Sequence, residues 1–143
     1  MIPEEISYKD LLTVFFFEHD PTTLNKQGAD VGEQYRSVIY YMSENQKKMA
    51  DDFIKELEEG KAYDKSIMTY VLPFVNFYPA ESYHKNYYEN NKNSNYCELV
   101  ITSKIERLEK RFGELLKNQN WKMKMENDNV KLQNIFLISC FQF

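Results

Sequence analysis

His19-Asp-Pro-Thr-Thr-Leu-Asn-Lys-Gln-Gly28-Ala-Asp30-Val-Gly32-Glu-Gln34-Tyr35-Arg36-Ser37 separates a helical pattern from a strand pattern, and its letters are those of a shaped loop. Two of the chain's four glycines lie here, one on each side of Asp30. Glycine reaches positive φ without steric penalty and lets backbone approach a ligand closely. A loop folded at Gly28 and Gly32 can bring together Asp30 and Tyr35, whose spacing shares no helix face. They would offer a carboxylate acceptor and a phenolic donor. The same letters, read alone, also suit a local turn bond for Asp30 and core packing for Tyr35. Arg36 is expected to make an internal salt bridge.

On the amino-terminal side, Ser7 can cap a helix with Asp10 in its first turn. Leu11, Leu12, Phe15 and Phe16 fall at helical spacing, and Pro21 opposes continuation. On the other side, Ser37-Val-Ile-Tyr-Tyr-Met42 reads as a strand. Ser43-Glu-Asn-Gln46 has capping-box form and predicts a helix through Glu59, ended at Gly60, with Met49, Phe53, Ile54 and Leu57 on its apolar face. A second strand is expected over Ser66–Leu72, stopped by Pro73, then a shorter helix over Ala80–Glu89. The run Asn90–Asn95 is a polar loop. Leu99-Val-Ile101 reads as a short strand, followed by a helix over Lys104–Lys117 with Ile105, Leu108, Phe112 and Leu115 inward. The alternation predicts an α+β sandwich with helices on a small sheet.

Composition narrows the function classes. At 143 residues the chain has the size of one domain, and 43% hydrophobic content is enough for a core. Eleven tyrosines and ten phenylalanines point to aromatic packing with hydroxyls at its margins. A net charge of -4 opposes a nucleic-acid footprint, and no basic amphipathic face favours a membrane surface. No run approaches the roughly 18 apolar residues of a membrane span, and no signal-peptide pattern opens the chain. Cys97 and Cys140 stand far apart and fit a reducing, cytoplasmic setting better than a disulfide framework. The two histidines, His19 and His84, make no metal-ligand spacing with them, so neither metal nor cofactor is expected.

The run from His19 to Ser37 resembles the H-D-P-T-T-x-N-x-Q-G-x-D-x-G-x-Q-Y-R-S signature of the A-type peptide-methionine sulfoxide reductases. Phe77-Tyr78-Pro-Ala-Glu81-Ser82-Tyr83-His84-Lys85-Asn-Tyr87-Tyr88 resembles that family's F-Y-x-A-E-D-x-H-Q-x-Y-x, with Ser82 and Lys85 replacing the usual acid and amide. Tyr96-Cys97-Glu-Leu-Val-Ile101-Thr-Ser103-Lys104 resembles its Y-C-x-x-V-I-x-P-K, with Ser103 where a proline is common. The resemblance implies a ferredoxin-like two-layer sandwich that reduces the S-epimer of methionine sulfoxide, in proteins or free, by thiol chemistry. It implies thioredoxin as reductant and a monomer.

Under that resemblance Asp30 and Tyr35 are the catalytic pair on the oxygen side. Gly28, Gly32 and Gln34 shape the loop, and His84 and Tyr88, four apart, support the pocket wall or the loop. Cys97 is most simply a buried apolar residue; Cys97 and Cys140 are the candidate resolving thiols. The family's Gly-Cys-Phe-Trp nucleophile segment occurs nowhere in the 143 residues. The expectation is therefore a partial reductase domain over 1–117 without its first strand, a divergent tail over 118–143, and negligible turnover by this chain alone. A non-catalytic remnant, or a module that binds oxidised methionine, is the alternative.

Overall fold

The computed structural model describes residues 6–79, 81–84 and 90–116. Helix α1 (Tyr8–Glu18) begins at a closed capping box. The Ser7 hydroxyl accepts from the Asp10 N–H at 3.1 Å, and the Asp10 carboxylate accepts from the Ser7 N–H at 3.1 Å. Each bond satisfies a donor that the helical ladder leaves without a carbonyl. Leu11, Leu12, Phe15 and Phe16 are all buried, as their spacing requires.

The signature run follows as a miniature hairpin, β1 (Lys26–Gln27) against β2 (Asp30–Val31), then a 3-10 turn over Glu33–Tyr35. Strand β3 (Val38–Tyr41) leads into α2 (Glu44–Glu59), which returns the chain to β4 (Tyr70–Pro73). β3 and β4 pair in parallel, from Val38 opposite Tyr70 to Tyr41 opposite Pro73. Proline has no N–H to give a ladder, and here it sits at the strand's last residue.

Helix α2 starts as its sequence predicts, with the Ser43 hydroxyl accepting from the Gln46 N–H. The return bond reaches one residue further than a standard box: Gln46 Oε1 accepts from the Met42 N–H at 2.8 Å. The helix ends at Gly60, but the left-handed residue is Lys61, at φ 51°. Ala62 N–H donates to the Leu57 carbonyl and Lys61 N–H to that of Glu58, a Schellman arrangement whose left-handed position usually holds glycine.

Leu12, Phe15, Phe16, Ile39 and Ala50 form the core, with Phe53, Ile54, Leu57 and Val71 packed around them. It lies between α1, α2 and the β3–β4 pair. Phe15 and Phe16 meet edge to face at 5.1 Å, and Phe16 and Phe53 lie 5.7 Å apart. These spacings fall within the favourable range for aromatic pairs.

Three expectations are corrected. The strand expected at Leu99–Ile101 is part of a π-helical turn, Cys97–Ile101, continuous with α3 (Thr102–Leu116). Its apolar run was ambiguous by periodicity; the helix buries Cys97 and Ile101 and leaves Leu99 exposed. The second strand is shorter than Ser66–Leu72 because the residues before Tyr70 bond to the signature loop instead: Met68 N–H donates to the Pro21 carbonyl at 2.7 Å. In place of the start of the Ala80–Glu89 helix stands a 3-10 turn over Ser82–His84; residues 80 and 85–89 lie outside the described part.

Candidate active site

The hairpin owes its shape to two positive-φ glycines and one asparagine. Gly28, the first residue of the two-residue connection between β1 and β2, has φ 59°. Gly32 has φ 152°, and a Cβ built there would fall within the Gln34 side chain. Its N–H donates to the carbonyl of Asn25, itself at φ 48°, and closes the hairpin. The next turn is fixed by Tyr35 N–H donating to the Gly32 carbonyl at 3.0 Å. Arg36 donates to the Glu33 carbonyl at 2.9 Å and approaches the Glu33 carboxylate at 3.8 Å, the internal role its position suggested.

Asp30 and Tyr35 thereby line one cavity of about 850 Å³. Among the described residues, neither the Asp30 carboxylate nor the Tyr35 hydroxyl has a hydrogen-bond partner, so both are available to a ligand. The rest of the lining includes the end of α1 (Phe17, Glu18 and His19), Tyr63 and Lys65, and Tyr96, Val100, Lys104 and Arg107 from the π-helical turn and α3 with the residue before them. The lining combines aromatic and charged groups, which suits a ligand with an apolar stem and a polar head.

His19 ties the cavity floor to the sheet. Its Nδ1 lies 2.6 Å from the Phe15 carbonyl, an acceptor only, so Nδ1 carries the proton. Nε2, 2.6 Å from Ser37 Oγ, then accepts from that hydroxyl, and Ser37 Oγ accepts from Thr69 Oγ1 at 2.8 Å. One relay of three side chains thus joins α1, the start of β3 and the lead-in to β4. Burial holds the His19 pKa below its usual value and outweighs the Phe15 carbonyl and Asp20, which favour the imidazolium. Asp20 folds the next turn: its carboxylate accepts from the Thr22 hydroxyl and N–H, and these bonds hold its pKa down.

Glu18 is the unusual charge of the site. Its side chain is 7% exposed, and Oε2 lies 3.6 Å from Arg107 Nη2. Oε1 is buried without a hydrogen-bond partner among the described residues. Desolvation raises its pKa, against the opposing pull of Arg107 and Lys104.

Of the residues singled out in the sequence, Asp30, Tyr35 and Gly28 meet at the cavity, while Gly32 and Gln34 shape the loop behind it. Cys97 is fully buried and lines no part of the cavity, in keeping with an apolar packing residue. The His84 side chain, Tyr88 and Cys140 lie outside the described residues. Glu18, His19, Tyr63 and Arg107 were missed. His19 stood inside the signature but had no sequence neighbour to mark it as part of a relay. Tyr63, whose hydroxyl donates to the Phe16 carbonyl at 2.6 Å, gave no signal at all. No group of His, Cys, Asp and Glu among the described residues could hold a metal, and no described helix is long and apolar enough to cross a membrane.

A family model for peptide methionine sulfoxide reductase matches residues 2–116. The chain belongs to that family. It is 47% identical over 117 residues to the peptide methionine sulfoxide reductase MsrA of Picrophilus torridus, covering 82% of this chain and 66% of the relative. To the MsrA of Acinetobacter baumannii strain AYE it is 49% identical over 115 residues, 80% of this chain and 65% of that one. This reductase-family chain therefore spans just under two thirds of the length of those relatives. The crystal structure of reduced Mxr1 from Saccharomyces cerevisiae matches with TM-score 0.52 and 40% identity, over 60% of this chain and 47% of that one. Over the matched part the chain has the MsrA fold.

Proposed function

We propose that this chain supplies the oxygen-binding side of a peptide-methionine (S)-S-oxide reductase. The observation that carries the reading is the convergence of Asp30 and Tyr35, both without hydrogen-bond partners among the described residues, on one cavity. A sulfoxide oxygen accepts hydrogen bonds and gains negative charge as sulfur is attacked. The Tyr35 hydroxyl donates to it, and the Asp30 carboxylate orients a water or other donor beside it. Phe17, Tyr96 and Val100 supply apolar surface for the methionine stem.

The chemistry proceeds by a thiolate attacking sulfur while the oxygen takes up a proton. Methionine leaves and a sulfenic acid remains. A second thiol then displaces water to form a disulfide, and thioredoxin reduces it by exchange. Cys97 is too buried to attack from its present position, so the thiolate comes from elsewhere than Cys97. We read β3, α2 and β4 as part of a ferredoxin-like two-layer sandwich whose first strand, the Gly-Cys-Phe-Trp strand of the family, is not among the described elements. Residues 1–117 are then the reductase part and 118–143 a divergent tail; the end of the family match at residue 116 supports that division. A monomer in the cytoplasm completes the reading.

A second reading, an oxidised-methionine-binding module without turnover, is favoured by the full burial of Cys97, which is not among the residues lining the cavity. The two separate on the full chain with an S-sulfoxide peptide. The leading reading predicts selective binding of the S-epimer over the unoxidised peptide, and negligible dithiol-driven turnover unless a nucleophile strand is supplied. Turnover abolished by Cys97→Ser would reassign the nucleophile. Equal binding of oxidised and unoxidised peptides would end both readings.

A further inference from the structure

Strand β3 has the burial of a central strand but the hydrogen bonding of an edge. Successive side chains of a strand point to opposite faces, so Val38 and Ile39 lie on different sides of the sheet. Val38 is 2% exposed and Ile39 5%, so both faces of β3 are covered there. Among the described residues, however, only one of its edges is paired. Tyr70 N–H donates to the Ser37 carbonyl and Phe74 N–H to the Tyr41 carbonyl, and the parallel register between those bonds joins Ile39 and Tyr41 to β4. The N–H and C=O groups of Val38 and Tyr40 therefore point away from β4, and no described residue pairs with them. Backbone polar groups shut away from water cost free energy unless they are bonded. The outer edge of β4 differs: its end residues Tyr70 and Pro73 are exposed, and proline has no N–H to offer another strand.

The occupant of the β3 edge has to suit that setting. A strand covered on both faces reads as a continuous apolar run rather than an alternating one. Ile135-Phe-Leu-Ile138 is such a run. It belongs to residues 117–143, which lie outside the described part and beyond the end of the family match at residue 116. Helix α3 ends at Leu116, and the stretch 117–134 can span roughly 60 Å at full extension, several times the ~13 Å radius of gyration of a 100-residue domain. The run can therefore reach β3 from where the helix stops. At the other end, Met1-Ile-Pro-Glu-Glu5 carries a proline and two carboxylates and offers no such run. We propose that residues 135–138 pair as a strand along the free edge of β3 and give Val38 and Tyr40 their backbone partners. The inference goes beyond the reductase reading and does not depend on it.

The test uses the full chain and its own cysteine. Cys97 is fully buried, so a nitroxide reagent labels Cys140. In isotope-labelled protein the NMR signals of the Val38 and Tyr40 amides are lost while the nitroxide is oxidised and return when ascorbate reduces it. An equal mixture of isotope-labelled, unmodified chain and spin-labelled, isotope-free chain keeps those signals. Signals retained in the first sample would overturn the inference. So would signals lost in the mixture, which would mean that a second copy supplies the strand. Hydrogen exchange checks the same pairing without a label. The Tyr40 amide exchanges at least about tenfold more slowly in the wild type than in Leu137→Asp, a change placed outside the described core. Equal exchange in the two chains would also overturn the inference.

Discussion

Helix α1 separates two regions built on opposite principles. Its apolar face packs Leu12, Phe15 and Phe16 against α2 and the β3–β4 pair, where nearly all the stabilisation is burial and shape. Past its end, the run from His19 to Ser37 buries little but Pro21 and Ser37, and is held by turn bonds, two glycines and a histidine relay. The packed region can change only at a cost in folding. Among the described residues, the loop region leaves the Asp30 carboxylate and the Tyr35 hydroxyl without hydrogen-bond partners, and so has something to offer a ligand. Stability and recognition should therefore come apart under mutation.

The sharpest break is expected in the packed region. Phe16→Ala removes a ring that is 2% exposed and should cost about 3–5 kcal/mol by denaturant unfolding. A cost below about 1 kcal/mol would mean the seam is not the core. Acidification probes the join between the regions. With its folded pKa depressed by burial, His19 contributes stability that is fully present above its unfolded value of 6.5 and lost as pH falls toward the folded one. Thermal unfolding temperatures should fall between pH 7 and pH 5, and His19→Gln should flatten that part of the slope.

A gain is expected at the end of α2. Lys61 holds a left-handed conformation at φ 51°, which costs a side-chain-bearing residue about 1 kcal/mol relative to glycine. Lys61→Gly should raise stability by about that amount, measured by the same unfolding curves. The smallest stability effect belongs to the site itself. Asp30→Asn and Tyr35→Phe should each stay within about 0.5 kcal/mol of wild type. S-sulfoxide peptide binding should meanwhile weaken by roughly tenfold in each. A large loss of stability in either would return that residue to a packing role.

The division also explains what could be read in advance. Local rules act over a few residues, so the caps at Ser7 and Ser43, the buried face of α1 and the glycine-shaped loop were legible. The convergence of Asp30 and Tyr35 was legible because both lie in one loop. What escaped depends on partners far along the chain. The Ser37–Thr69 contact spans 32 residues, and the Tyr63 bond to the Phe16 carbonyl spans 47. Glu18 reads as an ordinary helix-end charge until Arg107 and the cavity are placed beside it. Leu99–Ile101 failed for another reason: a three-residue apolar run cannot tell a strand from a buried helical turn.

The most direct measurement is a double-mutant cycle on binding of an S-sulfoxide peptide, using Asp30→Asn, Tyr35→Phe and the pair together. If the two side chains attend to one oxygen, their effects fall short of additivity by about 0.5 kcal/mol or more. Additive losses, or a wild-type chain that binds the unoxidised peptide equally well, would contradict the account.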